Sequence, residues 1–164
     1  MNPPEGTPRI EITAEMMHQA MKLRDEITVN RTRENDQDAV IGALGEFAFA
    51  EWKYGDWRKN NVGKSKGKHD FKGGIEIKTS ARKYSPTLHL MVREDYAQSR
   101  IANFYVQALI DAEPGERIGE GCAVFLVGFC KGETVKEAAV MDFWGAFRVK
   151  AVPFYRLSPM EEFN

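Results

Sequence analysis

The stretch DFKGGIEIKTS, residues 70–80, places two carboxylates and a lysine on what otherwise reads as a half-buried β-strand. From Ile75 to Ser80 the side chains alternate with period two, which on a strand sends neighbours to opposite faces. Ile75, Ile77 and Thr79 then share one face, and Glu76 and Lys78 share the other. The Gly73-Gly74 pair predicts a tight turn that folds Asp70 back beside Glu76. Such a charged face is either wet surface or a site.

Outward from this strand the charge is lopsided. Between Lys53 and Lys83 stand ten basic side chains and three acids, Asp56, Asp70 and Glu76, a balance of +7 in a chain whose net charge is −1. The rest of the chain therefore carries −8. A run of like charge is ordinarily a solvated loop. Here two of the three embedded acids belong to residues 70–80, and the asymmetry is the footprint expected for a polyanionic partner. The near-neutral total argues against a generally sticky basic protein.

At 164 residues the chain has the length of one domain with a core that needs no disulfide or metal staples. Its longest apolar window, Cys122 to Cys130, is strand-sized, so no membrane partner is expected. The opening MNPPEGTPRI lacks a cationic start followed by an apolar run, so no signal peptide is expected. Cys122 and Cys130 are expected as buried free thiols in a reducing, cytoplasmic setting. Cysteines and histidines are too few and too scattered for a zinc or cluster site.

Helical spacing of Met17, Ala20, Met21 and Ile27 after a capping Thr13 predicts a helix over Ala14–Glu26. A polar loop is expected at Asn30–Asp38, then a helix over Ala39–Tyr54 ended by Gly55. The latter is apolar around most of its girth, through Val40, Ile41, Leu44, Phe47, Phe49 and Trp52, and should be deeply packed. Trp57–His69 reads as a glycine- and lysine-rich loop, with Trp57 a candidate for stacking on bases. Strands are expected at Asp70–Phe71, Ile75–Ser80, Leu88–Val92, Tyr105–Ile110, Cys122–Cys130 and Ala151–Tyr155. Short helices are expected at Glu94–Ile101 and after a capping box at Thr134–Glu137, a turn-rich connector at Asp111–Gly121, and a final turn at Ser158-Pro159. Phe143, Trp144 and Phe147 are expected to pack. The order predicts an α/β or α+β chain built on a mixed sheet flanked by helices.

Within the deep helix, Gly45 costs about 1 kcal/mol relative to Ala, which calls for a compensating reason. Its neighbour Glu46 is surrounded at helical spacing by Gly42, Ala43 and Ala50, which leave room around a carboxylate on an otherwise bulky helix. Three carboxylates converging on one spot, Glu46, Asp70 and Glu76, repel one another unless a hard divalent cation neutralises them. Mg²⁺ or Mn²⁺ suits such an all-oxygen set, and a neighbouring Lys78 orients a water or meets the charge of an attacked phosphodiester.

Asp70-x5-Glu76-x-Lys78, with Glu46 on the helix GALGEFAFAEWKYG before it, resembles the PD-(D/E)XK nuclease superfamily. The resemblance covers roughly residues 38–110, with 111–164 as a C-terminal elaboration of a single 1–164 domain. It implies a restriction-endonuclease-like αβββαβ core. It implies Glu46, Asp70, Glu76 and Lys78 as catalytic residues, and Glu46, Asp70, Glu76 and the Ile77 carbonyl as metal ligands. DNA contacts are expected from Lys64, Lys66, Lys68, His69, Lys72, Ser80, Arg82 and Lys83. His69 replaces the proline that often precedes the Asp in the family.

The expectation is a Mg-dependent deoxyribonuclease, an endonuclease rather than an exonuclease, acting as a homodimer. The family's iron–sulfur exonuclease branch needs four cysteines that this chain lacks. By the same resemblance, the small stand-alone size suggests a bacterial or phage restriction, repair or junction-resolving enzyme. The alternative is a non-catalytic nucleic-acid-binding protein that uses the basic 53–83 segment, its acids serving only as surface ion pairs. Gly63-Lys64-Ser65 echoes a phosphate-binding loop, but Arg58 stands where the first glycine is required.

Overall fold

Helix α1 (Ala14–Thr28) starts where Thr13 predicts it: the Thr13 Oγ1 accepts the Met16 N–H at 3.1 Å. It packs on α2 (Asp36–Tyr54), which closes at Gly55, where φ is +70° and the N–H reaches the Glu51 carbonyl at 2.9 Å. The computed structural model describes residues 1–28, 36–62, 64, 69–143 and 145–163. The Ile27 side chain, most of the polar loop expected from Asn30, and Trp144 lie outside that description.

Among the described residues, seven strands form two sheets. The first has the order β1 (Arg9–Glu11), β5 (Ala123–Lys131), β4 (Phe104–Ile110), β2 (Ile75–Ala81). It is mixed, because β2 runs parallel to β4 while the other pairs are antiparallel. The second is antiparallel, in the order β3 (His89–Arg93), β7 (Phe147–Pro153), β6 (Ala139–Phe143). Two short helices, α3 (Glu94–Ser99) and α4 (Gly132–Glu137), lie between strands. The class is thus mixed α and β, as expected, but the strand at 88–92 does not extend the first sheet. It pairs with β7 in the second sheet, and its Leu90 and Val92 face packs on Tyr105 and Cys130 of the first sheet and on Ala97 and Val135 of the short helices.

Faces of β2 follow the alternation. Ile75 and Ile77 join Val106, Ala108 and Ile110 in the core under α2, with Leu44, Phe47 and Phe49. A second core cluster, with Leu90, Val92, Tyr105, Cys130 and Val152, joins β4 and β5 to the second sheet. Gly45 has its reason here: a Cβ would overlap the Thr79 hydroxyl and stand 2.9 Å from its Cβ, so glycine lets α2 settle onto β2. Thr79 Oγ1 is buried there without a hydrogen-bond partner.

Several expectations need correction. Trp57 is not a free stacking platform; it is 9% exposed, with the Phe47 ring 5.0 Å away and the Arg58 guanidinium 4.8 Å over its own ring. Thr134 does not cap α4, which begins two residues earlier after Lys131 and has no side-chain cap. The last strand starts at Phe147 and ends at Pro153, and Phe154–Arg156 is a 3-10 turn. Phe147 is 38% exposed, with the Arg93 guanidinium 5.2 Å from its ring. The thiols are free as expected, Cys130 buried and Cys122 half-buried; nearly the whole length of β5 separates them, so no bridge can form.

Candidate active site

The site is built on the open edge of β2, the strand that ends its sheet. Lys72-Gly73-Gly74 forms the predicted turn, with φ of +95° and +74° at the glycines. Phe71 and Ile75 pair across it by two backbone hydrogen bonds, at 3.0 and 3.3 Å. Asn103, just before β4, clamps the turn: its Nδ2 donates to the Gly73 carbonyl at 3.0 Å and its N–H to the Gly74 carbonyl at 2.8 Å.

Folding back in this way brings Asp70 onto the edge, where its Oδ2 accepts the Ile77 N–H at 2.8 Å. In a strand, the N–H and C=O of one residue project to the same side, so the Ile77 carbonyl faces this edge too. Glu46 approaches from α2 on one side of the sheet and Glu76 projects on the other. His69 Nδ1 stands 3.8 Å from Glu76 Oε2.

Electrostatics bind the acids into one group. Burial, reinforced by the charges of Asp70 and then Glu76, pushes the Glu46 carboxyl up to about 9. Burial and the Glu76 charge push Asp70 up to about 6, against the lowering pull of the Ile77 N–H and of Lys78. Among the described residues, no three His, Cys, Asp or Glu side chains stand close enough together to hold a metal ion as they are placed. The donor set is nonetheless all oxygen and short of positive charge, which fits a hard cation that keeps part of its water shell.

Of the expected DNA contacts, His69, Ser80 and Arg82 lie near the site: His69 beside Glu76, and Ser80 and Arg82 further along β2 and just past its end. Lys64 and Lys72 are exposed. Lys66 and Lys68 lie outside the described residues. Lys83, two residues past the end of β2, makes ion pairs to Asp111 at 3.0 Å and Glu113 at 3.6 Å. Arg58 is likewise held by Glu15 at 2.6 Å.

Two supporting residues escaped the sequence reading. Besides Asn103, Gln107 is the register partner of Lys78, 1% exposed, its Nε2 donating to the Ala108 carbonyl at 2.8 Å and to Ser80 Oγ at 3.3 Å. A lone amide inside the apolar run FYVQALI was its signal. Cavities of about 860, 690 and 550 Å³ are lined by residues other than the three acids and Lys78. No family model, no curated protein and no solved structure matches the chain.

Proposed function

We propose that the protein is a divalent-metal-dependent deoxyribonuclease with a restriction-endonuclease-like core. The observation that carries this reading is the gathering of Glu46, Asp70 and Glu76, from a helix, a turn and a strand, around one strand edge with Lys78 beside them. Two of the three are held above the ordinary carboxylate range, so the group is poised to take up positive charge. Support for the fold is the order α2, Phe71 arm, β2, α3 and then β4 parallel to β2, although β3 between them belongs to the second sheet.

Asp70 and Glu76 would hold Mg²⁺ or Mn²⁺, with Glu46 and the Ile77 carbonyl completing the oxygen set. Once bound, the cation lowers the pKa of a water and offsets the charge of the phosphodiester. Lys78 orients that water and donates to the phosphate oxygens as negative charge builds. Burial of the Ile75/Ile77 face fixes the strand, and the Ile77 N–H keeps Asp70 aimed along the edge. Incubating the pure protein with linear, circular and single-stranded DNA in Mg²⁺, Mn²⁺ or Ca²⁺ tests this reading. Cleavage in the first two, and none with Ca²⁺ or EDTA, is expected; cleavage undiminished by EDTA would refute it.

A further inference from the structure

We propose that the groove between the end of β2 and the outer face of the second sheet seats an unpaired nucleobase of the DNA strand being cut. This rests on the nuclease reading and deepens it by naming the substrate as DNA with unpaired nucleotides beside the scissile phosphate. The groove, about 550 Å³, is walled by Ser80 and Arg82 on one side and by His89, Met91 and Met141 on the other. That volume suits a nucleotide rather than a duplex.

Continuity with the site comes first. Glu76, Lys78 and Ser80 lie two apart on β2 and project from one face. Ser80 is therefore about 6.6 Å along the strand from Lys78, roughly the reach of one extended nucleotide. A strand whose phosphate meets Lys78 runs directly into the groove.

The lining suits a base. Through the pairs Met91–Ala151 and Met141–Val149, both methionines stand on one face of the second sheet, diagonally across β7. They are 36% and 40% exposed, while the opposite face, with Leu90, Val92 and Val152, already supplies the core. Folding does not need these thioethers at the surface. A flat, polarisable surface over small Ala151 is what the π-face of a base packs on. Arg82, His89 and the Ser80 hydroxyl bring donors for base edges and the next phosphate. Asp142, on the rim, disfavours a phosphate at its end and accepts from an exocyclic amine.

The test measures binding, so it does not depend on turnover. Fluorescence anisotropy in Ca²⁺ compares a short single-stranded oligodeoxynucleotide with a blunt duplex of the same sequence, for the parent and for Met91→Ser/Met141→Ser. Thermal melting confirms that the variant folds. The groove predicts tighter binding of the single strand by the parent, and a loss of about tenfold for that ligand alone in the variant. Unchanged single-strand affinity, or equal loss for both ligands, would overturn it. A parent dimer that becomes a monomer in the variant, with DNA affinity unaltered, would assign the face to a second copy instead. If no DNA is cut in Mg²⁺ or Mn²⁺ the nuclease reading falls, while the anisotropy still decides the groove.

Discussion

Glu46 is the side chain on which the fold imposes the largest shift at the site, and its sign gives a pH prediction. Its folded pKa, about 9, lies above the ordinary value of 4.5, and that of Asp70, about 6, above 3.8. Between each pair of values the folded state holds more protons than the unfolded one, so stability falls as pH rises. In EDTA, the melting temperature should drop between pH 5 and 9. Glu46→Gln should flatten most of that slope, and added Mg²⁺ should offset it for the parent. A melting temperature independent of pH in EDTA would mean that the acids do not crowd. Lys78 gives a second prediction of a different kind. Lys78→Ala keeps every carboxylate, so metal binding should persist while the cleavage rate falls on the order of 10²–10³. Comparing calorimetric metal titration with single-turnover cleavage separates the two effects.

Strand β2 and helix α2 were the elements most open to reading from sequence, because each states its period plainly. Ile75 and Ile77 alternate with Glu76 and Lys78, and the turn glycines fix where Asp70 returns. Three-residue β1 has no period to read, and β6 begins immediately after α4 with no turn residue to announce it. Nor could local pattern tell that the strand at 88–92 pairs with β7, some sixty residues on, rather than with its neighbours. The ion pairs of Lys83 join residues 28 or more apart in sequence, beyond the reach of local pattern. Gly45 shows the reverse: sequence flagged its cost, and only the contact with Thr79 explains it. Gly45→Ala should therefore destabilise the protein by about 1–3 kcal/mol through overpacking, despite the better helix propensity of Ala. Thr79→Ala in the same background should recover part of the loss. Chemical denaturation of the three variants measures both, and a Gly45→Ala protein at least as stable as the parent would place α2 further from β2.

Across the whole molecule, the basic segment is less free than its count suggests. Arg58 and Lys83 are exposed but paired with acids, and Lys53 stands 5.4 Å over the Phe163 ring; Lys64, Lys72 and Arg82 are the other exposed cations among the described expected contacts. DNA affinity should still fall steeply with salt, and Lys72→Ala with Arg82→Ala should lower the slope of log K against log salt by about 1–2. The same two changes should leave melting temperature unaltered, since neither side chain is buried. Everything downstream depends on whether the open edge of β2 takes a cation. The most direct test is a calorimetric Mn²⁺ titration of the parent beside Asp70→Ala/Glu76→Ala, both shown to be folded. Saturable binding by the parent, weakened at least tenfold in the double variant, is the predicted result. Equal Mn²⁺ affinity in the two proteins, or none in the parent, would contradict it and leave the three acids as surface charge.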